Sequence, residues 1–329
     1  MPSLGALDDV NVRPSRAWNL NISQADHSLG LHAPDNHHLP GMKHSRMISI
    51  INCHAEGEVG DVVVGGIMDV PSAKTINGIC VSTVLLECGM LEMKEPVTKF
   101  KLDTAAGVVD VAAKCSGGKC KSVGFENIPS FVDTMGLEVD ALGIPRKVKV
   151  DIAWGSMWFA IVDAASVGVP LEKDNAMELV EMGEKIKKAV KRTYTPVHPE
   201  NHGLKGVSII SLTGPLREED LEGGGRCKTA TNAVVVGPGR LDRCPTGTGT
   251  SARMALLHAK EQLRKGETFT HQTVLGTEFV CRIQKDGVAV GRKDAVISYV
   301  EGRAWIYGHQ LVLLDPEDPF QTGYRVGDQ

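Results

Sequence analysis

Leu241-Asp242-Arg243-Cys244-Pro245-Thr246-Gly247-Thr248-Gly249-Thr250-Ser251-Ala252-Arg253-Met254 is the stretch on which the fold turns. It places two hydroxyl-flanked glycines ahead of an apolar periodicity, Ala252, Ala255, Leu256, Ala259 and Leu263, which predicts a helix from about Thr250 to about Lys265 with Gly266 closing it. A helix N-terminus built in this way offers free N–H groups and the positive end of the helix dipole to an anion. Carboxylate or phosphate binding is one reading of the stretch, and ordinary N-capping by Thr248 or Thr250 is the other. Residues 247–252 also fit the dinucleotide pattern G-x-G-x-x-A. The context argues against it, because residues 237–245 separate it from the preceding strand at 233–236 and no acidic residue ends a second strand at the expected distance.

Upstream of this stretch, strands are predicted at 158–162, 207–212 and 233–236, with an amphipathic helix over 175–191. The first half repeats the plan. Short β-branched runs at 47–53 and 62–68 flank the polar His54-Ala55-Glu56-Gly57-Glu58, and residues 78–88 read as a buried helix through Val81, Val84, Leu85 and Cys88, stopped by Gly89. Short alternating strands then follow, including 147–151. Each half holds strands around one apolar helix with a glycine-containing entrance. This predicts an α/β (α+β) protein of two pseudo-symmetric lobes, a first lobe over 46–150 and a second over 151–329 that carries the Gly-rich anion-binding helix entrance.

The 329 residues are 42% hydrophobic and 23% charged, an ordinary globular balance, and the net charge of -4 gives no pull toward nucleic acid or an anionic membrane. No apolar run reaches the roughly 18 to 20 residues of a membrane span, and no signal-peptide core opens the chain. The eight cysteines are scattered, so they read as reduced thiols in a cytoplasmic protein. Cys115 and Cys120 flank Gly117-Gly118, which predicts a hairpin; a zinc site there would need two further ligands. Residues 1–45 hold five of the eleven histidines, four prolines and no repeating apolar face. They predict a disordered N-terminal extension, in preference to a metal-binding tract of His32, His37, His38 and His44 or an organelle transit peptide, which Asp8 and Asp9 oppose.

Several motifs together resemble the proline racemase family. They are His54-Ala55-Glu56-Gly57-Glu58-Val59-Gly60-Asp61, Asp151-Ile152-Ala153-Trp154-Gly155, Phe159-Ala160-Ile161-Val162-Asp163, the block from Asp242 to Ala252, and Gly302-Arg303-Ala304-Trp305 with Leu314-Asp315-Pro316. The resemblance covers nearly all of 46–329 and implies the two-lobed diaminopimelate epimerase-like fold. It also implies an active site between the lobes, no cofactor and no metal, a small substrate of the proline or hydroxyproline class, and a homodimer as the assembly to expect. By the same resemblance Asp242 contacts the ring nitrogen of the substrate, while Gly247 and Thr248 bind its carboxylate.

In racemases and epimerases of the family two cysteines face the α-carbon. Here the second of those positions is Thr246, and Cys244 comes two residues too early. A threonine hydroxyl is a poor proton carrier near neutral pH, so the resemblance narrows to trans-3-hydroxy-L-proline dehydratases, which need one base and yield pyrroline-2-carboxylate. 4-Hydroxyproline 2-epimerase and proline racemase are the alternatives. Lys74 falls where the first catalytic base is expected, and the segment before it is short of the family's strands, so the first lobe is expected to be incomplete. That leaves a catalytically inactive chain that binds a cyclic amino acid as a further alternative.

Overall fold

The computed structural model describes residues 46–66, 77–104, 107–220 and 226–320. The expected N-terminal extension over 1–45 and Lys74 lie outside them. The chain opens with strands β1 (Arg46–Ala55), β2 (Glu58–Val59) and β3 (Val62–Gly65), helix α1 (Gly78–Glu87), and strands β4 (Val97–Thr104), β5 (Gly107–Ser116) and β6 (Lys119–Glu126). Strands β7 (Ser130–Val139), β8 (Val148–Trp154) and β9 (Trp158–Asp163) follow, then helices α2 (Ala164–Val167) and α3 (Ala176–Thr193). Next come β10 (Ile209–Thr213), β11 (Arg217–Asp220), β12 (Arg226–Val236), β13 (Arg240–Leu241) and helix α4 (Gly247–Ala259). The last strands are β14 (Thr268–Thr273), β15 (Glu278–Val290), β16 (Lys293–Gly302) and β17 (Ala304–Leu314).

Eight strands close into a barrel in the order β7-β8-β9-β10-β12-β14-β15-β16, and β16 returns to β7 through Ala295↔Phe131 and Val296↔Ser130. Helix α4 lies against the inner face of this barrel and α3 against its outside. The alternation along β9 states the layering: Phe159 and Ile161 pack with Ala252 and Leu256 of α4, while Ala160 and Val162 join the cluster that contains Leu179, Ile186 and Val190 of α3. A strand covered on both faces reads as one continuous apolar run, as residues 158–162 of β9 do, and β10 is buried along its whole length although it carries Ser211 and Thr213. β4 and β5 alternate instead, because only one of their faces is packed. Helix α4 is buried on most of its circumference from Gly249 to Leu257 because it packs inside the barrel, whereas α3 carries a single apolar stripe.

Helix α1 packs on β1, β3, β5, β6 and β17. Among the described residues these strands form two open sheets, β6-β5-β4 continuing from β16, and β17-β1 with β2 and β3 both paired to β1. Hydrogen bonding crosses the division at residue 150/151: β7 and β8 are barrel strands, and β17, near the end of the chain, pairs with β1 from Arg46↔Leu314 to Ala55↔Ala304. The hairpin at Gly117-Gly118 is present, with Cys115 opposite Cys120.

Two sequence expectations need correction. The strand at 233–236 is only the end of β12, whose polar first half is held in the sheet by parallel pairing with β14. Helix α4 starts at Gly247 and stops at Ala259, not near Lys265. Glu261 adopts φ +57°, and the amides of Gln262 and Leu263 turn back onto the Leu257 carbonyl at 2.8 and 3.3 Å. That fold-back returns Leu263 to the core at a spacing that imitates a further helical turn.

Candidate functional site

The loop between β13 and α4 carries the residues singled out in the sequence. Asp242 leaves the sheet with its amide on the Val234 carbonyl at 2.9 Å. Its Oδ1 accepts from the Cys244 amide at 3.3 Å and the Cys244 thiol at 3.5 Å, and its Oδ2 accepts from the Thr246 hydroxyl. Thr246 is the N-cap residue of α4, at φ +64°, a conformation that a β-branched residue rarely takes. Its hydroxyl is committed to Asp242 and makes no capping bond. The first amides of α4, from Gly247 and Thr248, therefore keep the unpaired N–H groups of an open helix end.

The capping alternative for Thr248 and Thr250 is not what the structure contains. Thr250 Oγ1 points back and donates to the Pro245 carbonyl at 3.3 Å, and Asn232 Nδ2 reaches the same carbonyl at 3.2 Å. Thr250 Oγ1 also lies 2.8 Å from His271 Nδ1. Which atom donates across that contact follows the imidazole tautomer. Burial, with the Arg253 guanidinium adding to it, pushes the His271 pKa down to about 3. On the other side Asn127 donates to Ser251 Oγ at 2.9 Å and accepts from Ser156 Oγ at 3.0 Å, which joins the β6–β7 connection and the β8–β9 turn to the N-terminal part of α4.

Close backbone approach requires the glycines here. A Cβ on Gly155 would sit 2.1 Å from the Thr248 carbonyl oxygen and 2.6 Å from the Ala252 nitrogen. A Cβ on Gly249 would come 2.9 Å from the Phe159 ring. Both glycines let the first turn of α4 press into the turn between β8 and β9.

The other lobe meets this loop through the hairpin of β1 and β2. Glu58 Oε2 accepts from the Arg243 amide at 3.0 Å and Oε1 from Arg240 NH1 at 3.0 Å, and the Glu58 carboxyl is within hydrogen-bonding reach of Asp242. Burial opposes ionisation of Glu58, but the Arg243 N–H, Asp242 and Arg240 together hold its pKa below the ordinary carboxylate range. Asp242 moves the other way. Burial pushes it up and the neighbouring Glu58 adds to this, against the Thr246 hydroxyl. Cys80, in the first turn of α1, is a buried thiol whose pKa is raised first by its bond with Cys53 and then by burial, and Gly60 packs against Cys80 and Asn77. Phe125 of β6 lies over Gly247, 3.4 Å from where a Cβ would be. The entrance of α4 thus faces elements of the other lobe.

The structure brings Asp242, Thr246, Gly247 and Thr248 to one loop. Burial first, and then the neighbouring Asp242 carboxyl, raise the Cys244 thiol well above its usual pKa, and its sulfur is held between Asp242 Oδ1 and the Thr246 amide, 3.3 Å away. Sequence reasoning assigned no role to Glu58, Asn127 or His271. A glutamate in a hairpin and a histidine in an alternating strand carry no local signal of that kind.

A family model described as proline racemase matches residues 75–325. The chain is similar to a hydroxyproline epimerase from Agrobacterium vitis, solved with bound trans-4-OH-L-proline, with 29% identity and a TM-score of 0.77 over 87% of this chain and 97% of that one. It is also similar to a probable proline racemase from Agrobacterium radiobacter K84, solved with bound carbonate, with 29% identity and a TM-score of 0.74 over 85% and 96%. A PhzF-family phenazine biosynthesis protein from Bacillus anthracis shares the fold at 13% identity, with a TM-score of 0.50 over 83% of this chain and 100% of that one.

Proposed function

Because the chain belongs to the proline racemase family, we propose that it binds a proline-type amino acid between its lobes and labilises the α-proton, with dehydration of trans-3-hydroxy-L-proline as the reaction. The open entrance of α4 carries this reading. The substrate carboxylate would accept from the Gly247 and Thr248 amides at the positive end of the helix dipole, where the negative charge that builds up on loss of the α-proton is also stabilised. The ring nitrogen, a cation in the free amino acid, would pair with Asp242. No cofactor is required by this scheme.

Thr246 favours dehydration over two-sided proton exchange. Its hydroxyl is bonded to Asp242 Oδ2, and the only nearby thiol on this loop, that of Cys244, is kept protonated and held by two neighbours. In the dehydration one base takes the α-proton from a single face. The electron pair left behind forms the double bond to the β-carbon, the 3-hydroxyl leaves with a proton as water, and the enamine tautomerises to pyrroline-2-carboxylate. The epimerase alternative draws on the resemblance to the Agrobacterium vitis enzyme. The eight unpaired cysteines suit the reducing cytoplasm that we propose as its location. Among the described residues no helix is long and apolar enough to cross a membrane.

Incubation with trans-3-hydroxy-L-proline, trans-4-hydroxy-L-proline and L-proline in deuterated water separates the readings. The expected result is pyrroline-2-carboxylate from the 3-hydroxy substrate alone. Deuterium at an inverted α-carbon of either other amino acid would replace dehydration by epimerisation. Binding of pyrrole-2-carboxylate without turnover of any of the three would favour a chain that binds but does not catalyse, the outcome suggested by Lys74 at the position of the first base.

A further inference from the structure

Four charged groups meet where the β1–β2 hairpin touches the loop before α4, and they are unequally shared. Arg240 and Arg243 both engage Glu58: NH1 of Arg240 lies 3.0 Å from Oε1, and the Arg243 amide and Nε lie 3.0 and 3.5 Å from Oε2. Asp242 stands between these two arginines in sequence, yet among the described residues no Lys, Arg or His pairs with its carboxyl. Its neighbours are the Cys244 amide and thiol, the Thr246 hydroxyl and Glu58 itself. The hairpin that carries Glu58 is firmly seated. Glu56 binds Arg303 at 2.9 Å and the Gly57 amide donates to His54 Nδ1 at 3.2 Å. The Glu58 side chain is 15% exposed, so it has little freedom to turn away.

We infer that Glu58 is a positioning residue: by occupying both nearby arginines and facing Asp242 with a carboxylate, it leaves Asp242 without a cation of its own, so that a ligand with a cationic ring nitrogen draws Asp242 to its ionised form and releases the carboxyl proton as it binds. This rests on the pairing of Asp242 with the ring nitrogen proposed above. Two adjacent carboxyls cannot both ionise cheaply, and the one with the cations takes the charge. The raised position of Asp242 and the lowered one of Glu58 agree with that division. A secondary ammonium supplies the positive charge that Asp242 lacks. The carboxyl proton then passes to solvent, the ring nitrogen keeps both of its own, and the pair is left as carboxylate and ammonium. The ligand takes the ionised form of Asp242, so affinity for a cationic ring rises with pH through the Asp242 titration and levels off above it. Cys244 in the same loop and Cys80 on α1 remain neutral thiols over this range.

The test has a ligand-free arm and a ligand arm. Protein labelled with 13C at aspartate side-chain carboxyls is titrated by NMR, with Asp242→Asn to assign the signal. The Asp242 midpoint is expected above the normal aspartate range and should fall by about one pH unit or more in Glu58→Gln, which keeps an acceptor for the Arg243 amide. Should that variant not fold, Glu58→Asp, which withdraws the charge by one methylene, must lower the midpoint as well. Calorimetry in buffers of different ionisation enthalpy then reads proton release. L-proline should release nearly one proton per site below the Asp242 midpoint, pyrrole-2-carboxylate, which has no ring charge, none, and Glu58→Gln should release less at the same pH. An unmoved midpoint in the Glu58 variants, or equal release with both ligands, overturns the inference. A midpoint that moves as stated while neither ligand binds wild-type protein leaves Glu58 its role on Asp242, and removes instead the proposed substrate class and the proton release tied to it.

Discussion

Helices α1 and α4 are the central helices of the two lobes, but their N-termini are finished differently. At α1 the Asn77 side chain accepts from the Cys80 amide at 3.3 Å, and the end of the helix is closed by its own sequence. At α4 the residue in the capping position, Thr246, turns its hydroxyl to Asp242 and leaves the helix end open, at the expense of a left-handed backbone conformation. A side chain that satisfies the backbone competes with any ligand for the same N–H groups. One helix end is therefore structural, and the other is available to a carboxylate.

The largest effect should come from the glycine under the open end. Gly155→Ala would drive a methyl group into the backbone of Thr248 and Ala252, which cannot yield as a side chain would, and should cost on the order of 3 kcal/mol or more. A urea midpoint within error of wild type would show that α4 can shift freely, and the contrast between the two helix ends would lose its geometric basis.

Next in size is the pH dependence set by His271 beneath the same end. Its folded pKa, about 3, lies well under the unfolded value near 6.5, so between these values the unfolded chain binds the extra proton. Stability is then complete above about pH 6.5 and falls as the pH drops, by up to about 1.4 kcal/mol per unit from this residue. Between pH 6 and 4.5 the loss should be about 2 kcal/mol, and His271→Gln should flatten that part of the denaturation profile. An unchanged slope in the variant would assign the acid sensitivity to other groups.

A paired substitution sharpens the comparison directly. Asn77→Ala should cost about 1 kcal/mol of stability, the usual value of a lost cap, and leave the affinity for pyrrole-2-carboxylate unchanged. Thr246→Gly should stay within about 1 kcal/mol of wild type, because relief of the positive φ offsets the lost hydroxyl bond, while binding of L-proline weakens about tenfold as Asp242 loses its orienting partner. Thermal melts and calorimetry on the two variants decide it, and identical behaviour would mean that the two helix ends are equivalent.

The smallest effect is expected at Gly78, the first residue of α1. A Cβ there would make ordinary contact with Leu102 at 3.5 Å, so Gly78→Ala should change stability by no more than about 0.5 kcal/mol. A loss comparable to that of Gly155→Ala would mean that both entrances are built on the same close approach.

Much of the fold could be read in advance, for reasons that differ along the chain. The entrance of α4 was visible because glycines and hydroxyl residues followed by an apolar run form a local pattern, and α1 was visible for the same reason. The end of α4 was misplaced because Leu263 keeps a helical spacing after the backbone has already reversed at Glu261. The first half of β12 was missed because Lys228 and Thr229 have no strand signature of their own and are held by β14, some forty residues further along the chain. Closure of the barrel could not be seen at all, since it depends on β16 pairing with β7, Ala295 with Phe131, across about half of the sequence.

By itself the sequence determined the residue types at the site: threonine rather than cysteine at 246, aspartate at 242, and glycines at 247 and 249 where a helix begins. Those are properties of a few adjacent residues, and chemistry of that kind survives without knowledge of the fold. Only the tertiary structure decided that the Thr246 hydroxyl serves Asp242 instead of capping the helix, that His271 and Asn127 brace the N-terminal part of α4, and that Glu58 takes both arginines from Asp242. The Glu58, His271 and Asn127 pairings join atoms that are distant in the chain, and the Thr246 bond depends on a backbone turn set by packing. Their energies follow from burial and mutual distance, quantities that exist only once the barrel has closed around α4 and the hairpin of the other lobe has come to rest against its entrance.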